Sequence, residues 1–358
     1  MTAIGLMSGT SMDGIDAAVL RTDGERVTGF GPSLSTTYDP VFRNRLRAVL
    51  GRDPAGDAEA LAVAGDLTGH HADVVRRLIS DHGVDPGTID VIGFHGHTVL
   101  HRPEQGVTCQ IGDGARLARE TGIAVVCDFR ANDVAHGGQG APFAPLYHAA
   151  LSWNYEKPLA VLNIGGVANV TWISSDGGLV AFDTGPGNAL LDDWVRRLDE
   201  GDMDLDGRLA HAGHVDEDAL GRLLDHPYFT RPYPKSLDRD DFDLDSVAHL
   251  SAADGAATLT AFTAGAVERA VSLFPALPNR WLVCGGGRRN PAIMAALRKL
   301  LLQPVEPVEM AGWQGDALEA QAFAFLAVRS LKGLPLSLAS TTGVREPATG
   351  GVLHRPDG

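Results

Sequence analysis

Short apolar runs alternate along the chain with longer stretches whose apolar residues recur at helical spacing. Glycine, asparagine, aspartate and serine gather where several of the apolar runs end. Short apolar runs bounded by such residues predict strands, and apolar residues on one helical face predict helices. The alternation of the two patterns predicts an α/β protein.

The stretch 4–20 predicts a β-hairpin, because two apolar runs flank the turn Gly9-Thr10-Ser11-Met12-Asp13-Gly14. Gly9 and Gly14 allow backbone angles that other residues avoid. Such a turn presents backbone N–H groups and hydroxyls, which suits a phosphate group. It lacks the Gly-Lys-Ser/Thr ending of a P-loop. Two interpretations therefore stay open: a structural hairpin, or a phosphate-binding hairpin of the type found in actin and hexokinase.

Strands and helices then alternate through the first part of the chain. Helical spacing covers 40–81 and 115–121, and apolar runs predict strands at 90–94, 107–111 and 123–127. Polar or glycine-rich residues follow these strands, where α/β folds place their ligands.

The second half opens as the first does. The stretch 159–172 again reads as strand, glycine turn and strand, which we interpret as a diverged internal repeat. Further strands are predicted at 180–183 and 281–284, and 226–245 reads as a loop. Helices are predicted from 188, at 258–274, from 290 to about 302, and at 316–332.

The expected fold is a duplicated actin-like (ribonuclease H-like) α/β fold of two domains, with the ligand-binding cleft between them. The expected N-terminal domain covers 1–131 and is completed by 340–358. The expected C-terminal domain covers 132–339.

Composition and charge are those of a globular protein, with 358 residues of which 44% are hydrophobic. The net charge of −15 predicts no general attraction to nucleic acid or to an anionic membrane, so an anionic substrate needs a local site. Cys109, Cys127 and Cys284 are scattered, which argues against a disulfide framework. The sequence has neither a signal-peptide pattern nor an apolar run long enough to span a bilayer. We expect a cytoplasmic protein.

Glycine turns follow four predicted strands, at 9–14, 165–166, 185–187 and 285–287. Glycine lets the backbone approach a ligand closely, although any one turn is more often ordinary punctuation. Helices that begin at Asn188, as an N-cap, and at Asn290 would direct their N-terminal dipoles toward an anion. Four such turns on one duplicated frame favour a nucleotide triphosphate.

Three carboxylates are candidates for chemistry. Asp183 ends a predicted strand, where it either acts as a general base toward a water or hydroxyl or forms an Asx-turn. Asp13 and Asp16 can position Mg²⁺ through water, because Mg²⁺ typically uses one or two carboxylates together with phosphate oxygens.

Glu319 and Arg130 each allow two interpretations. Glu319 follows Asp316 by three residues, so it either completes a capping box or lines a pocket. Arg130, just beyond a predicted strand, either grips a carboxylate or phosphate or lies on the surface.

Other chemistries are poorly supported. His95, His97 and His101 suggest a metal cluster, but no further cysteine or histidine follows at a zinc-site spacing. The run 202–207 begins like a calcium loop, yet Gly213 stands where that loop needs glutamate. The Gly-x-Ser-x-Gly motif of serine hydrolases is absent.

Taken together, the motifs resemble one family closely, beginning with the stretch Gly5-Leu6-Met7-Ser8-Gly9-Thr10-Ser11-Met12-Asp13-Gly14-Ile15-Asp16. The further matches, in the same order over nearly the whole chain, are 93–96, 110–112, 128–130, Asp133, 137–142, 163–166, Asn169, 182–188, 284–287, Asn290, Glu319, 322–324, 342–343 and 345–347. These motifs are similar to those of the anhydro-N-acetylmuramic acid kinases.

The resemblance implies a kinase that uses ATP and Mg²⁺ to convert 1,6-anhydro-N-acetylmuramic acid and water to N-acetylmuramic acid 6-phosphate in peptidoglycan recycling. Members are usually homodimers. Asp183 matches the aspartate that activates water. Sugar contacts are expected from Arg130, Glu319, His95, Gln139 and Lys235. ATP contacts are expected from Gly9, Thr10, Ser11, Met12, Asp13, Gly14, Ile15, Asp16, Gly165, Gly166, Asn169, Gly185, Gly187, Gly285, Gly286, Gly287 and Asn290.

Two positions depart from the family pattern. His97 stands where the family usually has glutamine, and Leu237-Asp238 replace a common Thr-Gly after Lys235.

Two rival functions also stay open. One is another sugar or small-acid kinase of the same fold, and the other is a non-enzymatic ATP-binding protein of the actin or chaperone type.

Overall fold

The computed structural model describes residues 1–9, 11–237 and 241–357. The chain forms two compact units, Met1–Trp153 with Asp316–Gly358, and Asn154–Gly315. Each unit has its own sheet and its own apolar core. Within the described residues, no helix combines the length and the apolar character that crossing a bilayer requires.

The sheet of the first unit is mixed. An antiparallel meander of three strands, β1–β2–β3, supplies one side. β4 runs parallel to β1, and β6 runs parallel to β4. β5 and β12 pair antiparallel with β4 and β6. The strands are β1 (Thr2–Ser8), β2 (Gly14–Thr22), β3 (Val27–Thr37), β4 (Val91–Arg102), β5 (Val107–Ile111), β6 (Val125–Cys127) and β12 (Val352–His354).

Helices cover this sheet, and several begin at a side-chain cap. Asp39 accepts hydrogen bonds from two backbone N–H groups of the first helix, and Asp57 does the same for the second. The predicted helix over 40–81 is therefore two helices separated by a loop. The helices are α1 (Pro40–Ala48), α2 (Ala58–His82), α3 (Gly114–Thr121), α4 (Ala131–Ala135), α5 (Pro145–Leu151), α11 (Leu318–Leu331) and α12 (Ala339–Thr342).

The second unit repeats the central pattern of strands. β7–β8–β9 form an antiparallel meander, β10 runs parallel to β7, and β11 runs parallel to β10. The strands are β7 (Leu159–Ile164), β8 (Val167–Ile173), β9 (Leu179–Pro186), β10 (Arg280–Cys284) and β11 (Val305–Pro307). The helices are α6 (Ala189–Arg197), α7 (Arg208–Ala212), α8 (Glu217–Leu224), α9 (Ala252–Ala270) and α10 (Pro291–Leu300).

Both sheets share one strand order. It reads β6-β4-β1-β2-β3 in the first unit and β11-β10-β7-β8-β9 in the second, with the same relative strand directions. This correspondence confirms the predicted duplicated actin-like α/β fold. The predicted loop over 226–245 also contains a 3-10 turn, Pro227–Thr230.

Helix α11 packs directly on the first sheet. Gly5 of β1 and Gly93 of β4 are register partners, and a Cβ on either one would overlap the backbone of α11 at Ala320 or Phe323. Ala18, the β2 partner of Gly5, packs against Ala320 on the same face. Three small residues therefore form a flat platform on which a helix backbone can rest.

The units divide the chain differently from the predicted domains. Segments 132–153 and 316–339 belong to the compact unit of the first sheet, whereas the sequence analysis grouped them with the second half. The platform under α11 is the physical reason for the second difference, because it attaches that helix to β1, β2 and β4.

Replacing Gly5 by alanine tests this platform. We expect Gly5→Ala to lower the free energy of unfolding by about 3 kcal/mol or more, because the added Cβ overlaps backbone that cannot move alone. Urea denaturation measures the effect. Gly221→Ala is the matched control, since Gly221 lies exposed in α8 with open space around it. That control should gain up to about 1 kcal/mol from helix propensity. Equal stabilities for the two variants would contradict the platform.

Candidate active site

The turn between β1 and β2 is tight and pinned by backbone. The N–H of Met12 donates to the carbonyl of Gly9 over 3.0 Å. Among the described residues of the turn, Met12 lies in the left-handed region, with φ of 56°, whereas Gly9 and Gly14 do not. The prediction that Gly9 and Gly14 are needed for backbone angles that other residues avoid was therefore wrong. Gly14 is required by crowding, because a Cβ there would overlap the carbonyl oxygen of Thr36. Thr10 lies outside the described residues.

Charged side chains surround this turn. Arg43 of α1 pairs with Asp13 over 2.8 Å and also approaches the carbonyl of Ser11. Asp16 lies half-buried in β2 and accepts a hydrogen bond from Ser35 over 2.5 Å. Burial raises the pKa of Asp16, and the neighbouring charges of Asp316 and Asp13 raise it further. The next residue toward the turn, Ile15, is buried in the core of the unit.

Arg130 lies half-buried in the first unit and is not a surface arginine. Its Nε donates to Nε2 of His95 over 3.1 Å, and its Nη1 donates to the carbonyl of Gly140 over 2.5 Å. The guanidinium also lies over the ring of Phe143. Burial lowers the pKa of Arg130 to about 10, against the opposing charge of Glu319. It therefore stays protonated at neutral pH.

His95 acts as a neutral acceptor for that arginine. It is buried, its Nδ1 lies 2.9 Å from the carbonyl of Gly96, and its ring packs on Phe323. A carbonyl only accepts hydrogen bonds, so the proton is on Nδ1 and Nε2 accepts from Arg130. Burial, with the arginine charge, holds the pKa of His95 well below its usual range.

The glycine-rich loop around Gln139 is anchored on buried Asp133. That carboxylate accepts from the N–H of Gly140 over 2.7 Å and from the hydroxyls of Ser337 and Thr342. The N–H of Gln139 donates to the carbonyl of Thr342 over 2.6 Å. Since Arg130 also bonds to Gly140, the structure brings Gln139, Arg130 and His95 into one neighbourhood.

Glu319 lies exposed in the first turn of α11. The helix begins at Leu318 with Ala317 as its N-cap, so Asp316 does not hold the capping position that the capping-box interpretation requires. The charge of Glu319 acts on Arg130. Glu319 therefore lies near Arg130 and its two partners, His95 and Gly140 (the Arg130 cluster).

Asp183 lies on β9 and bonds to backbone groups of Lys235 and Leu237. Its Oδ2 accepts from the N–H of Leu237 over 2.9 Å, and its own N–H donates to the carbonyl of Lys235 over 3.1 Å. The hydroxyl of Tyr228 donates to the carbonyl of Asp183 over 2.5 Å. Its cross-strand partner is Asn169 on β8. A bond to Leu237, so far along the chain, is not the local contact of an Asx-turn.

A β-bulge adjoins this carboxylate. The pairing of β8 with β9 shifts by one residue between Ala168 and Asn169, which leaves Thr184 as the extra residue. The Thr184 hydroxyl donates to the carbonyl of Ala168. Bulges bend a strand and redirect its side chains, and they are frequent beside active sites.

Lys235 is buried next to this carboxylate. Its Nζ donates to the carbonyl of Tyr228 over 3.0 Å and lies 4.4 Å from the centre of the Tyr228 ring and 5.5 Å from that of Phe182. Burial lowers the pKa of Lys235 to about 8, and the charge of Asp183 opposes this shift. Lys235 thus shares a neighbourhood with the candidate base.

Three glycine turns of the second unit meet around Asn188. Its Nδ2 donates to the carbonyls of Ile164 and Gly165, and its N–H donates to Gly165 over 2.7 Å. The N–H of Gly187 donates to the carbonyl of Gly166. A Cβ on Gly285 would overlap Asn163 and the carbonyl of Ile164.

The two predicted asparagine caps have different outcomes. Asn188 occupies the N-cap position of α6 as predicted, but its side chain makes no capping bond there and instead donates to the β7–β8 turn. Asn290 does cap α10, and its side chain accepts from the N–H groups of Ala292 and Ile293.

The histidines of β4 have separate partners. Nδ1 of His97 lies 2.9 Å from the hydroxyl of Ser8, His101 bonds to Thr108, and His95 accepts from Arg130. Within the described ranges, no three metal-binding side chains group together.

Arg43, Tyr228 and Tyr38 are neighbours of the candidate site that sequence reasoning missed. Their contacts join residues more than twenty positions apart, so no local motif marks them.

Comparison with known proteins identifies the family. The family model described as anhydro-N-acetylmuramic acid kinase matches residues 1–356. The chain belongs to this kinase family.

Curated relatives carry the same name. The anhydro-N-acetylmuramic acid kinase of Rhodospirillum rubrum is 60% identical over 98% of this chain and 93% of its own length. That of Paramagnetospirillum magneticum is 57% identical over 99% of this chain and 100% of its own length. The solved ROK family glucokinase from Streptomyces griseus, in complex with glucose and AMPPNP, aligns over 91% of this chain and 99% of its own, with 14% identity and a TM-score of 0.43.

Buried histidines make the stability of this kinase-family chain dependent on pH. Burial lowers the pKa of His97 and of His71 to about 4, against about 6.5 in an unfolded chain. Between these values the unfolded chain binds protons that the native chain does not. Stability therefore falls as the pH decreases from about 6.5 to about 4.

Replacing His97 by glutamine removes one of these groups. Between about pH 7.5 and about pH 5, we expect the unfolding free energy of His97→Gln to drop by roughly 2 kcal/mol less than that of the wild type. Urea denaturation at both pH values measures the two drops. His249→Gln, at an exposed histidine, should behave as the wild type does. A His97→Gln drop as large as that of the wild type would refute the assignment.

Proposed function

We propose that the chain phosphorylates 1,6-anhydro-N-acetylmuramic acid with ATP and opens its anhydro ring with water, giving N-acetylmuramic acid 6-phosphate for peptidoglycan recycling. The full-length family match supports this reaction, and the backbone-held carboxylate of Asp183 is the observation that carries the mechanism.

In the proposed reaction, Asp183 takes a proton from a water molecule. The water oxygen forms a bond to the anomeric carbon, and the bond from that carbon to O6 breaks. O6 takes the γ-phosphoryl group, and ADP leaves. Such a transfer depends mainly on positioning and charge stabilisation, with one base for the nucleophile. The amide of Leu237, which holds one carboxylate oxygen, sets the direction of the base.

Each unit supplies candidate ATP contacts. In the first, the candidate is the β1–β2 turn, in which the N–H of Met12 bonds to the carbonyl of Gly9. In the second, Asn188 holds the turns of Gly165 and Gly187 together. Backbone dipoles of this kind suit phosphate oxygens. We assign the residues predicted from the sequence, including Asn169, Gly185, Gly285–Gly287 and Asn290, to ATP on this basis.

The residues near the first turn fit Mg²⁺ held largely by phosphates and water. Mg²⁺ needs one or two carboxylates. Burial, and then the charges of Asp316 and Asp13, raise the pKa of Asp16, and a nearby cation would favour its ionised form against both effects. Asp13 is already paired with Arg43, which makes Asp16 the better candidate. When bound, the ion would neutralise charge on the phosphates.

We assign the sugar to the Arg130 cluster. Arg130 and Glu319 would contact it, Gln139 lies on the adjoining loop, and His95 would act by holding Arg130. Lys235 was predicted as a sugar contact. Its burial against Tyr228 and Phe182 instead favours an electrostatic role toward Asp183. The family resemblance also supports a homodimer located in the cytoplasm.

Removing the base tests the mechanism. We expect Asp183→Asn to lower kcat by about 10²–10⁴-fold, because the amide cannot accept the proton, and to change ATP affinity less than about threefold. ADP release and nucleotide titration measure the two effects. Asp199→Asn, the same change at an exposed position in the same unit, should keep wild-type turnover. Normal turnover in Asp183→Asn would exclude the assignment.

The rival functions differ in the fate of water. In oxygen-18 water, ring opening places the label on the anomeric carbon of the product, whereas another sugar kinase of this fold incorporates none. An ATP-binding assembly protein would show no ADP release that depends on the sugar.

The role of Lys235 has its own test. We expect Lys235→Met to lower kcat about tenfold with little change in the KM for the sugar, because methionine keeps the apolar contacts and removes the charge beside Asp183. Steady-state kinetics separate the two constants. Lys299→Met, at an exposed position, is the control. A raised KM with an unchanged kcat would return Lys235 to the sugar contacts.

A further inference from the structure

A buried network of hydrogen bonds adjoins the β1–β2 turn, which the proposed function assigns to the phosphates of ATP (the phosphate turn). Ser8 ends β1, is 1% exposed, and precedes Gly9 of the turn. Its hydroxyl lies 2.7 Å from the hydroxyl of Tyr38 and 2.9 Å from Nδ1 of His97. Tyr38 and His97 are 9% and 0% exposed, so water does not replace these bonds easily.

The same hydrogen-bond network also reaches the other end of the turn. The backbone N–H of Tyr38 donates to the carbonyl of Asp13 over 3.0 Å. Tyr38 therefore bonds to Ser8, just before the turn, through its side chain and to Asp13, near the far end of the turn, through its backbone. The position of the turn depends on where the Tyr38 hydroxyl and Ser8 are held.

His97, on β4, connects this hydrogen-bond network to the sheet through Ser8. The pairing of β1 with β4 shifts between Leu6 and Ser8, and the shift places Ser8 opposite His97. Nε2 of His97 is buried and makes no hydrogen bond to any described residue. The bond to Ser8 is thus the polar contact through which His97 acts.

We propose that His97 is a positioning residue for ATP, which holds the phosphate turn through Ser8 and Tyr38. The proposal rests on the proposed assignment of the turn to ATP phosphates. It also accounts for the departure from the family at this position, because a glutamine amide can donate to or accept from a serine hydroxyl as an imidazole can. An apolar residue cannot, and it would leave the Ser8 hydroxyl buried with one partner fewer.

Binding of nucleotide alone tests the proposal independently of the sugar reaction. Isothermal titration with the analogue AMP-PNP and Mg²⁺ compares the wild type with His97→Gln, His97→Leu and Tyr38→Phe. We expect His97→Gln to bind within about twofold of the wild type. His97→Leu should bind about tenfold more weakly, which equals about 1.4 kcal/mol. Tyr38→Phe should weaken binding in the same direction.

His71→Leu controls for the loss of a buried histidine. His71 is equally buried in α2, contacts Phe94, and bonds to the carbonyl of Leu67, outside the hydrogen-bond network of Ser8. We expect His71→Leu to bind AMP-PNP as the wild type does at a temperature where all variants are folded.

Kinetics add a second reading. The His97→Leu change should raise the KM for ATP about tenfold and leave the KM for the sugar within about twofold. Wild-type AMP-PNP affinity in His97→Leu, or equal weakening in His97→Gln or His71→Leu, would overturn the proposal. If the wild type bound AMP-PNP but did not turn over the sugar, the proposed function would fail while the titrations still decided the role of His97.

Discussion

The close approach of helix α11 to β1 and β4 is the constraint on which the first unit depends. Two glycines in register allow a helix backbone to rest on a sheet backbone, where any side chain would force them apart. The contact ties the segment after residue 316 to the first sheet. It fixes Glu319 relative to Arg130, and it places α11 against β1, the strand that leads into the β1–β2 turn.

The two units share one strand pattern, and the proposed function gives each a different role. In the first, the meander offers the turn between β1 and β2. In the second, it offers a carboxylate on β9, beside a bulge. Backbone groups position both features: Tyr38 bonds to Asp13 in one, and Leu237 bonds to Asp183 in the other. Backbone partners have few alternative positions, so they hold a ligand-binding group more rigidly than flexible side chains do.

Sequence patterns predicted most elements because strand and helix periodicities are local properties. They also predicted the duplication, since the same glycine-turn hairpin opens both halves. They failed where distant residues decide the conformation. Met12, not a glycine, takes the left-handed backbone in the first turn, and the side chain of Asn188 bonds to a neighbouring turn instead of to the first N–H groups of its helix. The sequence of α11 does not predict its attachment to the first sheet, because that attachment depends on Gly5 of β1 and Gly93 of β4, far away in the sequence.

Local charge explains how a chain of net charge −15 can serve anionic substrates. Arg130 donates to an imidazole and a carbonyl, and Lys235 donates to a carbonyl between two rings. Within the described part of the chain, neither cation has a carboxylate at ion-pair distance, although Glu319 and Asp183 act on them from farther away. A cation without a direct counter-ion acts on anions that are farther away. In the proposed function, that anion is the substrate for Arg130 and the carboxylate of Asp183 for Lys235. In the proposed function, Arg130 would offer the carboxylate of muramic acid a guanidinium whose orientation His95 and Gly140 already set.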